Sequence, residues 1–177
     1  MKRFSTLLPV LAAIALVAAF TTTAAAEPNY VGAGTCKMCH NKPDKGAQYT
    51  KWQESKHSKA YSGLASDKAK EVASAKGIAN PQESAECLKC HVTGYGADAS
   101  RFEKKYKQED GVGCESCHGA GKDYKNIKIM KDVEQAKAAG LLIPTEETCK
   151  KCHNEESPTY EGFNFEEMSA KIAHPRP

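Results

Sequence analysis

All eight cysteines of this chain fall in four copies of one five-residue pattern that ends in histidine. The copies are Cys36-Lys37-Met38-Cys39-His40, Cys87-Leu88-Lys89-Cys90-His91, Cys114-Glu115-Ser116-Cys117-His118 and Cys149-Lys150-Lys151-Cys152-His153. In C-x-x-C-H each thiol can add across a haem vinyl group, and the histidine that follows reaches the iron as its proximal ligand. No cysteine is left over, and four of the six histidines are used in the same way. The pattern therefore predicts four haem c groups.

Two plainer readings of the cysteines are weaker. Four C-x-x-C knuckles can in principle bind two zinc ions through thiolates, but zinc has no need of a histidine after every second cysteine. A disulfide within each C-x-x-C closes a very small loop, typical of redox-active sites and not of a fourfold structural framework.

The amino terminus speaks to compartment. Lys2 and Arg3 supply a positive start, an apolar stretch runs from Leu7 to Phe20 broken only by Pro9, and Ala24, Ala25 and Ala26 offer a small-residue cleavage site before Glu27. The stretch is short for a spanning helix, which argues against an uncleaved anchor. The expectation is a signal peptide over residues 1–26, cleaved near Ala26, and an exported periplasmic protein with no stable membrane insertion.

Cleavage leaves one domain over residues 27–177, a length of about 150 residues that ordinarily builds a single apolar core. Large aliphatic runs are few and no segment alternates as a strand. The expected fold class is mainly α: a small multihaem cytochrome, with short helices and long loops wrapped around four covalently bound, closely packed haems. Formal charge is +3 with the leader included, about +1 without Lys2 and Arg3, and about −3 once four ferric haems with ionised propionates are counted. The lysines then read as propionate partners and solvated surface, not as a nucleic-acid footprint.

Local signals divide the chain further. Residues 44–64 read as one helical segment, with His57, Ala60, Tyr61 and Leu64 on a common face. Ser66 caps a helix to about Lys76 that Gly77 stops. Glycines at 94, 96, 111 and 113 suit close backbone approach to a porphyrin. A helix over residues 132–139 stops at Gly140, Thr145 caps the helix bearing the fourth motif, and a last helix runs from Asn164 toward His174.

Ligation is limited by the histidine count. His40, His91, His118 and His153 are proximal, which leaves His57 and His174 as distal candidates, so at most two irons take two histidines from one chain. Met130 and Met168 are the plausible methionine ligands, Met168 reading more naturally as a packing residue.

Several blocks resemble the multihaem cytochromes of the cytochrome c-554 type. These are Trp52-Gln53-Glu54-Ser55-Lys56-His57-Ser58-Lys59-Ala60, Glu86 through Gly96 around the second motif, and Gly111 through Gly121 around the third. A weaker block is Phe165 to Met168 with His174 downstream. The resemblance implies a mostly helical tetrahaem fold with stacked haem pairs and a role as a periplasmic electron carrier. It further implies that His57 is the distal ligand opposite His118, that His174 is the distal ligand opposite His153, and that the haem on His91 is five-coordinate. In that family a histidine shortly after the third motif serves the first haem. Residues 121–128 contain none, which leaves the haem on His40 open, or ligated by Tyr124, Lys128, Met130 or a neighbouring chain.

The leading expectation is a carrier of single electrons between redox-partner proteins met in transient contacts, with no nucleic acid involved and self-association left open. One rival is an enzyme that reduces nitric oxide, hydroxylamine or nitrite at an open haem, for which no catalytic residue can be assigned. Another is the subunit of a haem-protein filament, and no spare histidine exists for one protomer to donate to the next.

Overall fold

A computed structural model describes residues 27–174 of the chain. The expected signal peptide over residues 1–26, and Pro175 after the last helix, lie outside the described residues.

The fold is helical throughout, in pieces of one or two turns. In chain order the helices are α1 Ala33–His40, α2 Gln48–Glu54, α3 Ala60–Gly63, α4 Asp67–Ala75, α5 Ala85–His91, α6 Cys114–His118, α7 Ile127–Met130, α8 Val133–Ala138, α9 Glu146–Lys150 and α10 Phe165–Ile172. Short 3₁₀ turns lie between some of them. Among the described residues there is no strand; a lone bridge pairs Tyr30 with Phe102, and no helix is long and apolar enough to cross a membrane. Helices this short are marginal in isolation, so contacts distant in sequence must hold them.

Local capping explains several of the boundaries. Ser66 accepts from the Ala69 N–H at the start of α4, and Gly77 follows with φ of +72°. Asp132 accepts from the N–H groups of Glu134 and Gln135 at the start of α8, and Gly140 lies beyond its end. Thr145 and Thr148 form a reciprocal capping box on α9, and Asn164 caps α10 through the Glu167 N–H.

The single helix expected over residues 44–64 is instead broken into α2, a 3₁₀ turn at His57–Lys59, and α3. The break falls at Ser55, whose backbone is extended and whose hydroxyl donates to the Trp52 carbonyl at 2.7 Å. Val112 N–H then takes the His57 carbonyl at 3.0 Å, and the indole N–H of Trp52 donates to the Val112 carbonyl at 2.8 Å. The segment before the third motif thus replaces helical hydrogen bonds with tertiary ones.

The apolar core is small. Val31, Ala33, Leu64, Ala73, Leu88, Val92, Ala120, Tyr124 and Ala136 are its buried members, and Val31 is the one large side chain sealed completely. Leu64, Leu88 and Val92 form one cluster with Tyr61 and Cys87 against it. This joins α3 to the second motif and bears out part of the face read from the sequence.

Candidate functional site

Each attachment motif ends a helix on its histidine or, in the fourth, runs just past one. In α1, α5 and α6 the last helical residue is the motif histidine itself. Helix α5 stops because Val92 turns extended, and α6 stops because Gly119 takes φ of +78° with the Gly140 carbonyl against its α-carbon. A side chain at Gly119 would place its first carbon 3.0 Å from that oxygen, so glycine is required there.

The four motifs lie beside one another in the order first, third, fourth, second. Cys36 of the first and Cys114 of the third interact electrostatically. Cys117 of the third interacts electrostatically with Cys149 and Cys152 of the fourth, and Cys152 does so with Cys90 of the second. Lys89 and Glu156 pair across the last of these junctions at 2.5 Å. Thr93, just after the second motif, also ties that motif to the third: its N–H donates to the Gly111 carbonyl at 2.9 Å and its hydroxyl accepts from the Gly113 N–H at 2.7 Å.

All eight cysteines are free thiols. Burial pushes Cys117 and Cys149 upward and takes Cys152 to about 12. The neighbouring Cys114, by contrast, lowers Cys36. Among the described residues no three His, Cys, Asp or Glu side chains converge as a metal-ion site would need.

The residues do fit haem. A cavity of about 1720 Å³ opens at the centre of the fold, well beyond the roughly 300–1,000 Å³ of a single small-molecule site. Its wall includes Cys36, Cys39 and His40 of the first motif, Cys114, Cys117 and His118 of the third, and Cys149 of the fourth, together with His57 and His174. Two proximal histidines are already oriented for iron. His91 Nδ1 lies 2.8 Å from the Ala60 carbonyl and His118 Nδ1 lies 3.0 Å from the Leu142 carbonyl. An Nδ1–H held by a carbonyl leaves Nε2 as the lone-pair donor to metal.

The two non-motif histidines each meet a motif histidine. His57 and His153 have ring centres 6.0 Å apart at 81°, and His118 and His174 have centres 5.9 Å apart at 45°. A metal–imidazole bond is about 2 Å, so a shared iron would hold two ring centres roughly 6 Å apart. Burial, with the neighbouring His153 ring second, lowers the His57 pKa. Burial likewise lowers His118, opposed by its hydrogen bond to Leu142. Both shifts favour the neutral, ligating imidazole. In ring placement His57 stands beside His153 and His174 beside His118, whereas the resemblance set His57 opposite His118 and His174 opposite His153. The His57 carbonyl accepts from the Val112 N–H, which fixes the turn that bears its ring.

Sequence reasoning missed four contributors. The carbonyls of Ala60 and Leu142 carry no side-chain signal at all. Phe163 stacks on His153 with ring centres 5.2 Å apart, and only its place after Gly162 hinted at a turn. Glu115 was passed over as an inner residue of the third motif. It is buried, and its two carboxylate oxygens accept from the N–H groups of Val31, Gly32 and Gly121 at 2.8, 2.8 and 2.7 Å.

Comparisons with known proteins place the chain among relatives. The family model for cytochrome c554 and c-prime matches residues 35–119. A cytochrome c-554 of Nitrosomonas europaea is 30% identical over 168 residues, covering 89% of this chain, and the chain spans 66% of that protein's length. The structure of reduced cytochrome c554 from the same organism superposes with a TM-score of 0.56 at 27% identity, covering 84% of this chain and 79% of that one. With the family model, the relative and the solved structure all in agreement, the chain belongs to the cytochrome c-554 family.

Proposed function

We propose that this chain is an exported, periplasmic cytochrome with four haem c groups that passes single electrons between redox-partner proteins. The observation that carries the reading is the contiguous run of attachment motifs, first to third to fourth to second. The haems supply the one-electron chemistry when bound. The protein's share is placement. Its thiols fix each group covalently at Cys36 and Cys39, Cys87 and Cys90, Cys114 and Cys117, and Cys149 and Cys152. His40, His91, His118 and His153 take the proximal side of the irons. His57 closes the distal side opposite His153, and His174 closes it opposite His118. The two motifs completed by a second histidine are thus the inner pair of the run, and the two without one, His40 and His91, stand at its ends. Iron held by imidazole on both sides has little room for small molecules, which suits an internal relay. Partners meet the outer haems in transient contacts, and no nucleic acid is involved.

A second reading has one observation in its favour: no other histidine is left for His91, so its iron has room to bind nitric oxide, hydroxylamine or nitrite as a reductase would. The test counts haem and spin state in the fully oxidised protein by mass spectrometry and electron paramagnetic resonance, with and without nitric oxide. Four thioether-bound haems with at least two low-spin, and nitric oxide confined to the remainder, is the expected result. Fewer than four haems, or nitric oxide reaching a doubly histidine-bound iron, would overturn it. Steady turnover of nitric oxide would move the assignment to the enzyme.

A further inference from the structure

We infer that Met130 is the sixth ligand of the iron on His40. The inference rests on the four-haem reading above. In that reading His57 and His174 serve the irons of His153 and His118, so none of the chain's six histidines remains for the iron at His40. Its open side is the central cavity, whose wall holds His40 and the end of α7 together: Ile127, Ile129 and Met130 line it, whereas Lys128 does not. The segment leading into α7 runs beside the first motif, since Lys125 and Tyr124 both interact electrostatically with Cys36.

The competing donors on that wall are engaged or chemically unsuited. Tyr124 donates its hydroxyl to the Gly119 carbonyl at 2.7 Å, and burial holds its proton far more tightly than usual, so it is no phenolate ligand. Lys122 and Lys125 both pair with Glu103. Any lysine must also lose a proton held to about pH 10.4 before it can bind iron. Met38 sits within the attachment loop itself, 64% exposed, with its sulfur against Lys105 Nζ at 3.9 Å. A thioether binds iron with no proton to lose, and Met130 is half-buried. Its backbone is held from both sides. The Met130 N–H donates to the Asn126 carbonyl at 2.8 Å, and the following Asp132 N–H donates to the Ile129 carbonyl at 3.0 Å. Methionine opposite histidine raises an iron's potential over two histidines, so electrons in the run would settle at the first haem.

The test uses the intact, fully matured protein. Wild type should show the far-red sulfur-to-iron charge-transfer band of one low-spin ferric haem. Met130→Ala should abolish the band and turn one haem high-spin, whereas Met168→Ala should keep both unchanged. Met130→His should keep that haem low-spin, remove the band and lower the potential of one redox step. A wild-type protein that carries four haems but lacks the band, or a band that survives in Met130→Ala, overturns the assignment. A haem count below four would instead overturn the tetrahaem reading itself, and mass spectrometry of the same sample separates the two failures.

Discussion

Glu115 is the residue on which the first and third motifs most depend for their mutual position. It lies between Cys114 and Cys117, yet it serves the segment entering α1 and the turn leaving α6, through three backbone N–H groups and no side-chain cation. Buried donors left without acceptors cost roughly 1–3 kcal/mol each. Glu115→Ala should therefore lower the unfolding free energy by about 3 kcal/mol or more, read as a shift of the denaturant midpoint. Glu115→Gln keeps one carbonyl acceptor for Val31 and Gly121 and turns an amide N–H toward the Gly32 N–H, so its loss should be smaller. Equal losses in the two variants would mean that volume, not acceptor chemistry, holds this junction. The paired histidines give a second expectation at this scale. His57→Ala and His174→Ala should each convert one low-spin haem to high-spin, and the double variant two, as counted by electron paramagnetic resonance.

At the scale of elements, the decisive contact is the one between Gly111 and the turn bearing His57. Gly111 takes φ of +64°, and an added β-carbon would come within 2.8 Å of the His57 carbonyl. The same carbonyl accepts from Val112 N–H. Gly111→Ala should displace this turn and reduce the low-spin signal of the His57–His153 haem, much as His57→Ala does. Gly63→Ala, in α3 with open space around it, should leave the spectrum unchanged and serves as the control. A Gly111→Ala protein with the wild-type spectrum would show that His57 is positioned by something else. This contact also marks where the sequence stops being legible. Caps at Ser66, Asp132, Thr145 and Asn164 lie within three residues of the groups they satisfy, so local pattern finds them. The break at Ser55 and the turn at His57 depend on residues more than fifty positions away, and periodicity alone reads them as one continuous helix. The motifs themselves are local and legible in full. The face each distal histidine meets is set by long-range contacts, which is why the placement of His57 and His174 required the fold.

The whole molecule is short of apolar interior. Its buried hydrophobic residues are nine among residues 27–174, four of them alanine, and of these Val31, Tyr124 and Ala136 line the cavity of about 1720 Å³. A chain of this length would ordinarily bury about two-thirds of its surface around one core. The exposed ion pairs, such as Lys68 with Glu71 and Lys171 with Glu167, are screened by solvent and do not replace a core. The prosthetic groups must then serve as the interior, and their removal should not be uniform in effect. The third motif contacts the first through Cys114 and the fourth through Cys117, whereas the second motif ends the run and has its own cluster of Leu64, Leu88 and Val92. Replacing Cys87 and Cys90 with alanine should yield a secreted protein with three haems and a cooperative, moderately lowered melting transition. Replacing Cys114 and Cys117 should remove the link between the first and fourth motifs and leave little folded protein to recover. Thermal melting followed in the Soret band, with haem staining of the secreted fraction, distinguishes the two. A third-motif variant that melts as cooperatively as the second-motif variant would mean that the polypeptide, not the run of haems, supplies the core.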